Sequence, residues 1–325
     1  MTQYCKNAIE MRFPSALATL LAASIVGAGC SSDGGIDQST RAIASSTSAA
    51  VETNEVLQDP AEGSTDSERS SPSVRTGTST PSIWPVDPTT LDPETPPTWR
   101  AEIIESYPHD SDAFTQGLEL VADGTLLEST GLRGFSTIRL IDLESGQVTA
   151  SAELDPTEFG EGATRVGDTI IQLTWQEGVA RRWALPELTI LDPFTYQGEG
   201  WGLCLAENRL AMSDGTSTMT WRDPSTFAVL DTVDVRLRGE PVANLNELEC
   251  VDDHVIANVW FGTFLVVVRS DGAVVATIDA SDVIAATQVA MSGDVLNGVA
   301  DLGDGTLLLG GKRWPTFYRV RLVDG

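Results

Sequence analysis

The stretch TQGLELVADGTLLESTGLRGFSTIRLIDLESGQVTASAE, residues 115–153, carries one copy of a pattern that recurs along the chain. It opens on a polar, a small and an apolar residue, Gln116-Gly117-Leu118. The triplet returns as Glu161-Gly162-Ala163, Trp201-Gly202-Leu203, Asn246-Glu247-Leu248 and Asn297-Gly298-Val299, at intervals of 45, 40, 45 and 51 residues. A second short apolar run follows each triplet (LLEST, IIQLTW, LAMSD, VIANVW, LLLGGK). A third ends in a turn signal such as S-G, D-P or D-G. Runs of this length, rich in β-branched residues and bounded by turn formers, read as strands. All-strand repeats of about 40–45 residues are the signature of propeller blades. The expectation is an all-β, five-bladed β-propeller. The strand AEIIESYP (101–108) has no repeat of its own and is expected to complete the last blade, which closes the ring and removes open sheet edges.

Outside this region the texture changes. Lys6 and Arg12 precede the apolar stretch Phe13–Ala28, too short to span a membrane but suited to a secretory signal. Gly27, Ala28 and Gly29 lead into Cys30, which looks like the lipidation site of a bacterial lipoprotein, although Gly27 stands where Leu is usual. Cleavage nearby with an unmodified Cys30 is the alternative. Residues 31–97 hold 23 Ser/Thr, 8 Pro and 4 Gly with one Trp, too little apolar surface to offset the entropy of ordering. The chain therefore divides into a signal segment (1–30), a disordered acidic tether (31–97) and a propeller domain (98–325). It is expected to be exported, periplasmic or at the cell surface, anchored to a bacterial membrane through lipid on Cys30, and monomeric.

The net charge of −27 excludes a generic nucleic-acid binder, which needs a basic footprint. Two histidines, His109 and His254, and four cysteines are too few for a His-rich catalytic zinc site or a thiolate cluster.

In a ring of blades, equivalent positions converge. The triplets bring Gln116, Glu161, Trp201, Asn246 and Asn297 to one mouth of the channel, and the second strands end there on Glu128, Trp175, Asp214, Trp260 and Lys312. An aromatic pocket with a few convergent polar groups is the expected site. Lys312 is the only lysine after residue 6, the other 14 basic residues of the domain being Arg. A compact ammonium rather than a planar guanidinium was kept at that position. Trp183 and Trp314 read as core, His109 as a structural hydrogen bonder near the ring closure, and His254 as exposed.

YPHDSDAFTQGL (107–118), ESTGLRG (128–134), FGEG (159–162), LTW (173–175), GEGWGL (198–203), SDGT (213–216), LNELE (245–249), ANVW (257–260), LNG (296–298) and GKRWP (311–315) occur in that order. Together they resemble the plant and bacterial type of glutaminyl-peptide cyclotransferase, a five-bladed propeller family. Its members are acyltransferases that convert the N-terminal glutamine of peptides and proteins to pyroglutamate and release ammonia. The resemblance implies that Glu161 is the catalytic carboxyl. It also implies that Phe114, Gln116, Phe159, Trp175, Trp201, Asn246, Trp260 and Lys312 line or serve the pocket. Gly311, Ala163, Cys204 and Cys250 depart from the family pattern and bear on substrate preference more than on chemistry.

The chemistry fits one carboxyl that takes a proton from the attacking amine and hands it to the departing nitrogen. Flanking aromatics would raise its pKa by desolvation. Glu128 is the rival carboxyl, with an orienting role as its other reading. Asn297 is a further supporting candidate. Gln116, Asn246 and Lys312 could donate to the tetrahedral oxygen; the amides could equally satisfy buried turn backbone. No cofactor or catalytic metal is expected, and the sequence leaves room for a structural cation in the channel. Cys204 and Cys250 could pair or stay as buried thiols. A non-catalytic lipoprotein that captures peptide N-termini or another small polar ligand is the alternative function.

Overall fold

The computed structural model describes residues 81–287 and 293–325. The signal segment 1–30, Cys30 and the tether as far as residue 80 lie outside the described residues.

Strand β1 (Thr98–Pro108) precedes a series of four-stranded antiparallel units. Unit I holds β2 (Thr115–Ala122), β3 (Thr125–Thr130), β4 (Thr137–Asp142) and β5 (Gln147–Glu153); unit II holds β6 (Gly160–Val166), β7 (Thr169–Thr174), β8 (Val179–Ala184) and β9 (Thr189–Thr195). Unit III holds β10 (Leu203–Ala206), β11 (Arg209–Ser213), β12 (Thr218–Arg222) and β13 (Val229–Asp234). A small ladder of β14 (Arg236–Leu237) and β15 (Glu240–Pro241) leads to unit IV, with β16 (Leu245–Val251), β17 (His254–Val259), β18 (Phe264–Arg269) and β19 (Val274–Asp279). Unit V holds β20 (Leu296–Asp301), β21 (Leu307–Gly311) and β22 (Thr316–Asp324). One short helix, α1 (Ser281–Ala286), lies between units IV and V.

Local sequence explains the hairpins. In unit I, Asp142 accepts the backbone N–H of Ser145 at 2.9 Å, and Gly146 takes φ +67°, so D-x-x-S-G turns the chain between β4 and β5. The burial gradient is equally local: β3 and β7 are almost wholly buried, whereas β5, β9 and β13 face water along most of their length.

Unit V lacks a fourth strand from its own segment, and β1 supplies it. Strand β1 pairs antiparallel with β22 from Trp99–Asp324 to Pro108–Thr316. Its first residues, Thr98–Arg100, also pair in parallel with β19 of unit IV. The all-β expectation and the completing role of 101–108 agree with this topology. Among the described residues, five apolar clusters fill the spaces between units. Leu127, Ile138 and Ile170 join I to II; Leu173, Leu210 and Phe227 join II to III; Met219, Val255 and Val266 join III to IV. Leu265, Val267 and Leu309 join IV to V, and Leu118, Leu308 and Phe317 join V back to I, so the circuit of units closes.

The inner strands approach closely because of their glycines. A Cβ on Gly117 would stand 2.7 Å from Ala163 N, one on Gly162 2.6 Å from Leu203 N, and one on Gly202 2.1 Å from Asn246 O. Unit IV carries Glu247 at that place, and its buried carboxyl accepts the backbone N–H groups of Leu118 at 3.3 Å and Val299 at 3.0 Å. A disulfide between Cys204 and Cys250 ties β10 to β16 across units III and IV, which resolves the choice left open by the sequence.

Two expectations are corrected. The boundary at Thr98 moves toward the N-terminus, because residues 81–97 are built onto the domain. Ile83 and Trp84 are buried in the cluster between units IV and V, and Trp84 donates its indole N–H to Asp252 at 3.0 Å. Low overall apolar content hid two anchors in a polar segment. His254, expected at the surface, is 2% exposed, because the Trp84 ring covers it edge-on at 6.0 Å. Removing this anchor has a measurable cost. A chain beginning at Thr98 should be less stable than one beginning at Pro81 by about 3–5 kcal/mol, the usual price of deleting a buried Trp; urea denaturation of the two checks it.

Candidate active site

Six side chains and one carboxylate form a continuous loop of contacts at one mouth of the circuit. Trp175 meets Phe159 edge-on at 5.7 Å, and Phe159 meets Phe114 at 6.1 Å. The Lys312 ammonium sits 4.8 Å from the Phe114 ring centre and 5.8 Å from that of Trp260. Trp260 meets Trp201 edge-on at 5.4 Å. Glu199 closes the loop, accepting the indole N–H of Trp175 at 2.7 Å and of Trp201 at 3.0 Å on the same oxygen. All five units contribute: Phe114 precedes β2, Phe159 precedes β6, Trp175 follows β7, Trp201 precedes β10, Trp260 follows β17 and Lys312 follows β21. The rings are half-buried, so they make walls with an open side.

Glu161 and Lys312 are buried, 5% and 4% exposed. Burial drives the Glu161 carboxyl well above the usual carboxylate range; the Lys312 charge opposes this, while Glu199 and Glu177 add to it. Burial also lowers the Lys312 ammonium to about 8, with the Glu161 charge pulling the other way. Two groups that normally titrate far apart are thereby brought toward neutral pH, the arrangement proton-transfer chemistry needs.

The amides complete the site. Asn297 donates to the Gln116 side-chain carbonyl at 2.9 Å and to Thr115 O at 3.0 Å, which turns the Gln116 amide nitrogen outward from that bond. Gly131 makes room for Gln116 and Phe159 together; a Cβ there would meet the Phe159 ring at 2.4 Å and Gln116 Cγ at 3.1 Å. Asn246 is buried, and its side-chain carbonyl has no protein partner. Gly215, at φ +80°, leaves space for Trp201, since a Cβ would meet that indole at 2.6 Å. The Asp214 carboxylate accepts from the Thr216 backbone N–H at 2.9 Å and from its hydroxyl at 2.6 Å. Among the described residues, no group of three or more His, Cys, Asp and Glu side chains is arranged to hold a metal ion.

A family model for glutamine cyclotransferases matches residues 78–322. The chain belongs to the glutamine cyclotransferase family. It is 39% identical over 228 residues to a glutaminyl-peptide cyclotransferase of Arabidopsis thaliana, covering 68% of this chain and 71% of that relative. The crystal structure of Myxococcus xanthus glutaminyl cyclase superposes with a TM-score of 0.67 at 38% identity, over 71% of this chain and all of the other.

In this member of the glutamine cyclotransferase family Glu128 belongs to a network of charged and polar partners. It is fully buried and accepts from His109 at 2.9 Å, Thr115 at 2.7 Å and Arg139 at 2.7 Å. Burial alone would raise its pKa, but the charges and hydrogen bonds of His109 and Arg139, with that of Thr115, hold it at about 2. His109 also bonds Trp314 O at 2.6 Å and stacks on Phe317, so it joins unit I to unit V as expected of a structural hydrogen bonder. This network gives the Glu128 carboxylate three protein donors. Glu199 was the residue the sequence reading passed over. It sits in GEGWGL, two positions before Trp201, but nothing in a linear motif tells which turn carboxylate reaches two indoles in different units.

Glu128→Gln should cost about 3–5 kcal/mol of stability at neutral pH, as breaking a buried ion pair does. The contribution of a carboxyl depressed from 4.5 to about 2 is complete above the higher value and is lost as pH falls through the lower one. The denaturation midpoints of wild type and variant should therefore converge on acidification.

Proposed function

We propose that this protein converts the N-terminal glutamine of peptides and proteins to pyroglutamate with release of ammonia, by a proton shuttle on Glu161 that needs no metal or cofactor. Its five units are the blades of a five-bladed propeller, with β1 as the closing strand. The chain is exported as a monomer, and lipid on Cys30 holds it at a bacterial membrane; the apolar run before Cys30 supports that reading.

What supports the activity is the burial of the Glu161 carboxyl within the field of the equally buried Lys312 ammonium, itself a link in the loop of aromatic rings. The glutamine stem packs between the Trp175, Trp201 and Trp260 walls, which select the curled rotamer that brings the α-amine to its own carboxamide. The neutral amine nitrogen attacks the side-chain carbonyl carbon. Glu161, as carboxylate, takes the proton that this nitrogen must shed. It passes that proton to the carboxamide nitrogen, the carbon–nitrogen bond breaks, and ammonia leaves with the carboxylate restored. Lys312 and the Gln116 amide stabilise the oxygen of the tetrahedral intermediate, each worth roughly 2–4 kcal/mol when aimed at it. The unpartnered Asn246 carbonyl accepts from the substrate amine.

Glu161→Gln should keep the fold and lower kcat on a glutaminyl peptide by about 10²–10⁴-fold with little change in KM, read as ammonia release. Retention of near-wild-type kcat would remove Glu161 from the mechanism. In the wild type, kcat should rise with pH through the raised pKa of Glu161, above 4.5, because the shuttle starts as carboxylate. It should fall again near pH 8 as Lys312 loses its charge. A profile with its acid limb in the ordinary carboxylate range would contradict the assignment.

A further inference from the structure

The pocket wall runs out at Trp260, and the residue after it, Phe261, is 57% exposed. The two rings lie 4.5 Å apart between centres, tilted by 40°. Phe261 has φ +64°, a left-handed conformation that bulky residues seldom adopt. The turn that holds it is tight: Gly262 donates its N–H to Val259 O at 2.7 Å, and a Cβ on Gly262 would stand 2.8 Å from that same oxygen. The turn presents the Phe261 ring to water beside Trp260.

The rest of the rim differs. Arg133 pairs with Glu177 at 2.5 Å, Gln176 donates to Glu199 at 2.9 Å, and Arg313 pairs with Asp294 at 3.1 Å. Phe261 gives the Trp260 side of the mouth an apolar surface that these polar contacts do not.

A peptide whose first side chain and amine reach the buried Glu161 and Lys312 must leave through the open mouth from its first carbonyl, so its second residue crosses the rim. We infer that Phe261, backed by the edge of Trp260, forms a subsite for the side chain of that second residue and favours aromatic or large apolar groups there. The inference rests on the glutaminyl-peptide cyclotransferase reading and adds the class of peptide that the enzyme prefers.

The test uses the full chain with Gln-Phe-amide and Gln-Gly-amide, reading ammonia. The wild type should show the lower KM for Gln-Phe-amide. Phe261→Ala should raise that KM relative to the Gln-Gly-amide value by roughly 3- to 10-fold, the size of one aromatic contact. Its effect on kcat should be the same for the two substrates, and Phe261→Tyr should restore the preference. A KM ratio left unchanged by Phe261→Ala, or equal KM values in the wild type, would overturn the subsite while leaving cyclisation standing. Absence of ammonia from both peptides with the wild type would overturn the cyclisation reading and the subsite with it.

Discussion

Backbone crowding around the centre of the circuit is the constraint on which everything else depends. Gly117, Gly162 and Gly202 let the first strands of units I to IV approach within distances that no side chain would allow. Where the series reaches unit IV, Glu247 stands in place of glycine, and its carboxyl bonds the backbone of units I and V. Burial pushes that carboxyl well above its usual range. The centre is therefore held by backbone contact on one side and by a bridging acid on the other, and the five apolar clusters fill the wedges between.

The site follows from that crowding. Of the residues just before the close contacts, Gln116, Glu161 and Asn246 lie on strands β2, β6 and β16, and Trp201, ahead of β10, is held by backbone hydrogen bonds to Gly162 and Ser213, so their side chains start from fixed backbone. Rigid placement is what proton transfer and ring closure require, since about an ångström of misplacement forfeits much of the advantage of proximity. The opposed pKa shifts of Glu161 and Lys312 share one leading cause, burial of each group away from water. Glu199 fixes two of the pocket rings through a single oxygen. The neighbouring ion network of Glu128, His109 and Arg139 uses equally buried charges for a different purpose, to lock the joint between the first and last units. The same residue type meets different partners in the two places: burial within the field of the Lys312 ammonium and the Glu199 and Glu177 carboxylates for Glu161, a guanidinium and an imidazole in contact for Glu128.

The triplet repeat pointed, without coordinates, to the all-β fold of the described residues and to the strand that pairs with the last one, β1 against β22. Both are read from the period, and period survives in one dimension. The family motifs named Glu161, Lys312 and the aromatic residues by resemblance, and the structure joins Lys312 and the rings in one loop of contacts. What only the tertiary structure decided were contacts between residues far apart in the chain. Trp84 and Ile83 are two apolar side chains in a polar segment, and their burial against unit IV, with His254 beneath Trp84, depends on a surface formed more than 160 residues later. The pairing of Cys204 with Cys250 depends on the spacing of β10 and β16. Glu128 and Glu161 look alike in sequence, each a carboxyl beside the channel; which is paired and which is left to titrate is set by the partners that folding delivers, and a buried carboxyl takes its protonation from those partners.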